Sequence, residues 1–278
     1  MNNNFYQHIL VFDSGFGGLS VAREIHQLYP SCRISYLADN AFFPYGLKSD
    51  AALTARILCV LRQAIDLIKP DIVVVACNTA STIVLAELRQ AFILPFVGVV
   101  PAIKPAAALT QTRTLGILAT PATINRAYTD QLIADFAQDI RVIRHGSRQL
   151  VLMAEAQLLG QPAEPAALLQ ELNGLLLQPG GAAIDTIVLA CTHFPLLKQE
   201  LMAVCPRPMV WVDSGLAVAK RVGGWLQQLA VNPKPLQPYA TIQFYHTGEF
   251  SEYRHLPQAI ALQLDSSQAV ELCYFGVE

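Results

Sequence analysis

Two stretches of this sequence set a thiol in the same local context. Residues 74–82 read VVACNTAST and residues 187–197 read IVLACTHFPLL. In each, an apolar run ends in Ala-Cys and polar residues follow: Asn78 and Thr79 after Cys77, Thr192 and His193 after Cys191. In an open parallel sheet, side chains just beyond the carboxyl ends of the strands enter the ligand crevice. The helix that follows offers unpaired N–H groups and a positive dipole end. A cysteine in that setting gains thiolate character. Elsewhere cysteine is a small hydrophobe of cores, which is the reading for Cys32, Cys59, Cys205 and Cys273.

One activated thiol beside a base suits a nucleophile. Two, in related settings, suit a symmetric task. One thiolate takes a proton from one face of a carbon, and the other, as a thiol, returns a proton to the opposite face. That inverts a stereocentre, runs in both directions and needs no cofactor. The carbanion needs preorganised donors, for which the regions of Ser14, Asn78, Thr79 and Thr192 are candidates.

Other residues surround this pair. Asp13 ends an apolar run in FDSGFGGLSV (residues 12–21). With Ser14 it reads either as a helix cap or as an acid at the crevice. The glycines there lack the G-x-G-x-x-G spacing and the P-loop lysine, so no dinucleotide or nucleoside triphosphate site is indicated. YLADNAFFPYG (residues 36–46) places Tyr45 and Gly46 in a turn whose backbone N–H groups could hold a small carboxylate. His193 follows Cys191 by two residues, a spacing at which side chains on a helix start do not face each other. A metal pair is therefore not expected, and His193 reads as an electrostatic or acid–base helper of the thiol.

The elements that must position these residues follow from periodicity. Short Val- and Ile-rich runs alternate with longer helical patterns. Strands are expected at 8–12, 33–37, 72–76, 95–97, 114–118, 140–143, 186–190, 209–212 and 242–246. Helices are expected at 17–28, 49–68, 79–90, 123–137, 150–159, 166–176, 196–204 and 216–230. Continuous rather than alternating hydrophobicity in the strands points to parallel sheets covered by helices on both faces. Pro- and Gly-rich loops are expected at 95–105, 178–181 and 232–238. The paired Ala-Cys runs, and FDSG at 12–15 echoed by VDSG at 212–215, suggest two facing, pseudo-symmetric α/β domains.

Composition suits a globular chain. Of 278 residues, 53% are hydrophobic and 14% charged, enough apolar content for large cores. The net charge of −2 is spread without basic blocks, so neither nucleic acid nor a membrane surface is an expected partner. No apolar run is long enough to span a bilayer. The N-terminal stretch has no signal-peptide pattern, so a cytoplasmic chain with reduced thiols is expected. The six cysteines form no C-x-x-C pair, and no metal site is expected.

Taken in order, FDSGFGGLSV, YLADNAFFPYG, VVACNTAST, GVVPAIKPA (residues 98–106) and LACTHFPLL resemble the glutamate racemases of the aspartate/glutamate racemase superfamily. The resemblance runs from about Ile9 to Gly215. It implies cofactor-independent interconversion of L- and D-glutamate, supplying D-glutamate for peptidoglycan. It implies Cys77 as the base acting on D-glutamate, assisted by Asp13, and Cys191 as the base acting on L-glutamate, assisted by His193. Glu155, in GSRQLVLMAEAQLLG (residues 146–160), falls where the family has a second supporting acid. Substrate contacts are implied for Asp13, Ser14, Tyr45, Gly46, Asn78, Thr79, Thr192 and His193. Thr120 and Thr123 match the family's two threonines, although ATPATINRAYTD lacks the glycine expected between them.

The family fold implies one domain from residues 1–98 plus 212–278, carrying Asp13 and Cys77. It implies a second from 99–211, carrying Glu155, Cys191 and His193. GSRQLVLMAEAQLLG and GVVPAIKPAAALT resemble the enterobacterial type, whose activator is UDP-N-acetylmuramoyl-L-alanine. Two other readings stay open. An aspartate racemase or related superfamily isomerase differs in pocket size, and its one-thiol forms lack one of the two cysteines. A non-catalytic small-anion-binding module leaves the duplicated thiols unexplained.

Overall fold

The computed structural model describes residues 7–229, 241–249, 256–264, 266 and 268–277. The chain divides into two compact units, Met1–Val99 with Gly215–Glu278, and Val100–Ser214. Each is an α/β layer structure around its own parallel sheet.

The first unit opens with β1 (His8–Asp13), α1 (Leu19–Leu28), β2 (Arg33–Ala38), α2 (Asp50–Ile68), β3 (Ile72–Val75), α3 (Asn78–Ala91) and β4 (Phe96–Gly98). In the second unit follow α4 (Ile103–Leu109), β5 (Thr114–Ala119), α5 (Pro121–Ile124), α6 (Ala127–Phe136) and β6 (Arg141–Gly146). Then come α7 (Gln149–Leu158), α8 (Pro165–Leu176), β7 (Thr186–Leu189), α9 (Lys198–Val204) and β8 (Val210–Val212). The first unit is completed by α10 (Gly215–Leu229), β9 (Thr241–His246), α11 (Leu256–Gln263) and β10 (Ala269–Tyr274).

The first sheet has the order β10-β9-β2-β1-β3-β4 and the second β6-β5-β7-β8, with parallel pairing throughout. The central strands β1, β3, β5 and β7 are buried along their whole length, which is why they read as unbroken apolar runs. Alternate residues of β1 and β3 (Leu10, Phe12, Val73, Val75) pack against Leu53, Ile57 and Val60 of α2 and Ala80, Val84 and Leu88 of α3. α1 and α10 pack together in the same unit. In the second unit Leu115, Ile117 and Val188 of the sheet form a core with Ile103 and Ala106. Each fully buried Leu, Ile or Val contributes roughly 1.5–3 kcal/mol of transfer free energy.

Several elements differ from those expected. Beyond the strand expected at 95–97, which is β4, the stretch 95–105 is not loop throughout: α4 begins at Ile103. Pro105 lies in the first turn of α4, where a missing N–H costs little. The single helix expected over 123–137 is two. Thr120 caps α5 by accepting from the Thr123 N–H at 3.3 Å. The chain then turns at Asn125 and extends at Arg126 before α6. β6 runs on to Gly146, three residues past the expected end. α11 and β10 are further elements, and β10 is an edge strand whose mixed exposure gives it only a weak apolar signal. The expected loop 232–238 and residue 230 of the expected eighth helix lie outside the described residues. No helix among the described residues is long and apolar enough to cross a membrane.

Candidate active site

Sheet order places the site residues within each unit. β1 lies between β2 and β3, so the chain leaves β1 to one side and returns to the other. β5 lies likewise between β6 and β7. The carboxyl ends at such a reversal flank a crevice between diverging loops. Asp13 ends β1 and Cys77 follows β3 by two residues. Thr120 follows β5 and Cys191 follows β7, again by two residues in the second case. The correspondence extends to the backbone. Ala76 N–H donates to the Phe12 carbonyl and Ala190 N–H to the Leu118 carbonyl, both at 2.7 Å.

In the first unit, Cys77 is the extended N-cap residue of α3, with its carbonyl accepting from Ser81 N–H at 2.8 Å. Ser81 Oγ donates back to the Val75 carbonyl at 2.8 Å, fixing the strand-to-helix turn. The Cys77 thiol makes no capping bond and lies 4.0 Å from Ser14 Oγ. Asp13 is fully buried, and its Oδ2 accepts from Gly18 N–H at 2.9 Å. Gly18 is required there: a Cβ would lie 2.8 Å from Tyr36 Oη, 2.9 Å from Ala76 Cβ and 3.0 Å from Asp13 Cβ. Asp13 thus caps the chain entering α1 while standing at the sheet end. Asn78 and Thr79 are buried in the first turn of α3, and Asn78 Oδ1 has no hydrogen-bond partner among the described residues. A buried acceptor left so is costly unless a ligand or water meets it.

Tyr45 is buried in the same core as Cys77, and its hydroxyl donates to Asp39 Oδ2 at 2.8 Å. Burial and the Asp39 carboxylate hold the Tyr45 phenol well above its ordinary pKa, so it stays a proton donor. Tyr45 and Gly46 begin a 3-10 turn, Tyr45–Leu47.

In the second unit, Cys191, Thr192 and His193 are buried before a 3-10 turn at Phe194–Leu197 that leads into α9. Because Cys191 and His193 precede the helix rather than sit on it, the two side chains do meet. Cys191 Sγ lies 3.8 Å from His193 Nδ1. The other ring nitrogen, Nε2, lies 2.6 Å from Oε1 of Glu155, carried by α7. Burial works against the imidazolium. The hydrogen bonds to Cys191 and Glu155 and the charges on both outweigh it, raising His193 well above the ordinary histidine value. Thr120 and Thr123 hydroxyls lie 3.0 Å apart at the start of α5, and Thr129 Oγ1 donates to the Thr123 carbonyl at 2.7 Å.

The structure therefore gathers Asp13, Ser14, Cys77, Asn78, Thr79 and Tyr45 in the first unit, with Gly46 adjoining Tyr45. It gathers Glu155, Cys191, Thr192 and His193 in the second, with Thr120 and Thr123 on the neighbouring strand end. No local spacing singles out Arg56 or Thr247, which meet the carboxylate beside Tyr45. Among the described residues no group of three or more His, Cys, Asp or Glu side chains could hold a metal ion.

The chain is similar to known proteins over most of its length. The Asp/Glu/Hydantoin racemase family model matches residues 16–222. The chain is 48% identical over 214 residues to a glutamate racemase of Sphingopyxis alaskensis, covering 77% of this chain and 80% of that protein. It is 46% identical over 237 residues to a glutamate racemase of Pasteurella multocida, covering 84% and 86%. The crystal structure of Escherichia coli glutamate racemase in complex with L-glutamate and the activator UDP-MurNAc-Ala superposes with a TM-score of 0.87. That match is at 39% identity and covers 98% of this chain and 99% of that one. A family match over most of the sequence, joined to relatives this similar over this much of their length, means that the chain belongs to the Asp/Glu/hydantoin racemase family.

Proposed function

We infer that the chain is a glutamate racemase, an isomerase that interconverts L- and D-glutamate with two thiols and no cofactor, and that its D-glutamate serves peptidoglycan synthesis. The observation that carries this reading is the repeated setting of Cys77 and Cys191, each two residues beyond a central strand at a reversal of sheet order. The relatives' activity supplies the substrate.

In the L-to-D direction the Cys191 thiolate takes the Cα proton. The C–H electron pair moves into the adjoining carboxylate, and the Cys77 thiol delivers a proton to the opposite face. Cys191 is then a thiol and Cys77 a thiolate, the protonation state for the return reaction. His193 assists Cys191, whose sulfur it meets, and Glu155 favours the imidazolium form of His193. Asp13 assists Cys77. Ser14, Tyr45, Gly46, Asn78, Thr79, Thr120, Thr123 and Thr192 bind the substrate, with Asn78 Oδ1 a candidate acceptor for its ammonium group. UDP-N-acetylmuramoyl-L-alanine is the proposed activator, as the L-glutamate complex of the E. coli enzyme suggests.

The test is incubation with L- or D-glutamate in D2O without pyridoxal phosphate, with and without the activator, following optical rotation and Cα deuteration. The expected result is racemisation of glutamate, little of aspartate, and a loss of at least about 100-fold in Cys77→Ser and in Cys191→Ser. Robust racemisation by either variant would refute the two-thiol mechanism. Absence of Cα exchange with every amino acid would refute the enzyme assignment.

A further inference from the structure

Asp39 is fully buried, and both of its oxygens are doubly satisfied. Oδ1 accepts from Arg56 Nη2 at 2.6 Å and from Thr247 Oγ1 at 2.7 Å. Oδ2 accepts from Arg56 Nε at 3.0 Å and from Tyr45 Oη at 2.8 Å. The guanidinium thus grips the carboxylate bidentately, and each oxygen is closed by one hydroxyl. These groups come from four places: the end of β2, the turn at Tyr45–Leu47, the second turn of α2 and the loop after β9.

The backbone continues the network. Asp39 N–H donates to the Asp13 carbonyl at 2.9 Å, tying the cluster to the end of β1. Asn40 Oδ1 accepts from Thr247 N–H at 3.0 Å and Gly248 N–H at 2.8 Å, and Thr247 Oγ1 accepts from Ala41 N–H at 3.1 Å. Arg56 also stacks 5.6 Å above the centroid of Phe42, whose ring packs edge-on against Tyr45. A tyrosine fixed at its hydroxyl by a charge, and at its ring by Phe12 and Phe42, cannot let its backbone drift. Tyr45 and Gly46 open their turn, so the turn itself holds no acceptor for their N–H groups.

We propose that Asp39, gripped by Arg56 and Thr247, is a positioning residue that fixes Tyr45 and thereby presents the Tyr45–Gly46 backbone to a substrate carboxylate in the first unit. The proposal rests on the assignment of Tyr45 and Gly46 to substrate binding made above. Asp39 does not touch the reacting atoms. It acts by preorganisation, so its loss weakens binding more than turnover. Nothing in the sequence links Thr247 to this turn, yet it closes the carboxylate from beyond β9.

The decisive variants are Thr247→Val, Thr247→Ser and Arg56→Lys, milder than removal of the buried carboxylate itself. Thr247→Val deletes one hydroxyl at nearly constant volume, and Arg56→Lys replaces a fork by a point charge. Two measurements are made. The first is the steady-state kinetics of glutamate racemisation, with thermal midpoints as a check on folding. The second is amide hydrogen exchange of the peptide spanning residues 40–48 without substrate.

The expected result is a KM raised about tenfold in Thr247→Val and Arg56→Lys, with kcat within about twofold of wild type and recovery in Thr247→Ser. Exchange in 40–48 is faster in the first two variants only. Combining Thr247→Val with Tyr45→Phe gives less than the product of the single effects, because both act through one hydroxyl network. An unchanged KM with unchanged exchange overturns the proposal, as does a fall in kcat at constant KM. A wild-type protein inactive on glutamate overturns the proposed function instead, and the exchange measurement then decides the clamp alone.

Discussion

His193 links two acidic groups that differ in kind: a thiol on one ring nitrogen and a carboxylate on the other. Its charge state is governed by the sulfur on one side and the Glu155 carboxylate on the other. Its folded pKa is raised, so the imidazolium is held to higher pH than in a free histidine and is lost as pH climbs above that range. Glu155→Gln keeps the shape of the side chain and removes the charge. The expected outcome is that the basic limb of the kcat/KM profile moves to lower pH, with the acidic limb in place. The pH profile of racemisation checks it, and an unmoved basic limb would mean that another group limits the rate there. The two cysteines and His193 were legible from sequence because each lies beside an unbroken apolar run. The pairing of His193 with Glu155 was not derivable from spacing, since 38 residues separate them and only the packing of α7 on the segment after β7 joins them.

Elements show how one helix can read two neighbouring glycines oppositely. In α10, a Cβ on buried Gly223 would overlap Tyr29 Oη, whereas a Cβ on Gly224 meets nothing within 4 Å. Gly223→Ala is expected to lower stability by about 1–3 kcal/mol through overpacking against the end of α1. Gly224→Ala is expected to raise it by about 0.5–1 kcal/mol by restricting the unfolded chain. Paired denaturant melts of the two variants measure both, and equal signs would contradict the packing of α10. Sequence periodicity located α10 and α1 but carried no information on which glycine faces inward at their contact. The same limit explains α5 and α6. The apolar pattern continues across Asn125, while the break is imposed by the Thr120 cap and the Thr129-to-Thr123 bond.

At the scale of the molecule, stability depends on joints between elements distant in sequence. Asp185, just before β7, gathers Thr110 Oγ1 at 2.6 Å, Gln111 N–H at 2.7 Å, Thr112 N–H at 2.8 Å and Thr186 Oγ1 at 3.0 Å. Burial pushes its carboxyl up, but these hydrogen bonds outweigh burial and hold its pKa at about 2. A depressed pKa stabilises the fold at pH values above the unfolded carboxyl's, near 4, and that contribution is lost as pH falls toward 2. With solvent screening it is worth about 1–2 kcal/mol. Asp185→Asn is therefore expected to melt earlier than wild type at neutral pH, with the difference closing between about pH 4 and pH 2. Thermal melts across that range check it, and a difference that persists at pH 2 would assign the effect to lost packing. The sequence by itself determined the alternation of strands and helices and the placing of both thiols at strand ends, because these follow from local periodicity and from polar residues interrupting apolar runs. Only the tertiary structure decided that β1 lies between β2 and β3, that β5 lies between β6 and β7, and that Thr247 closes on Asp39. Those facts depend on sheet order and on contacts between distant segments, which no local pattern encodes.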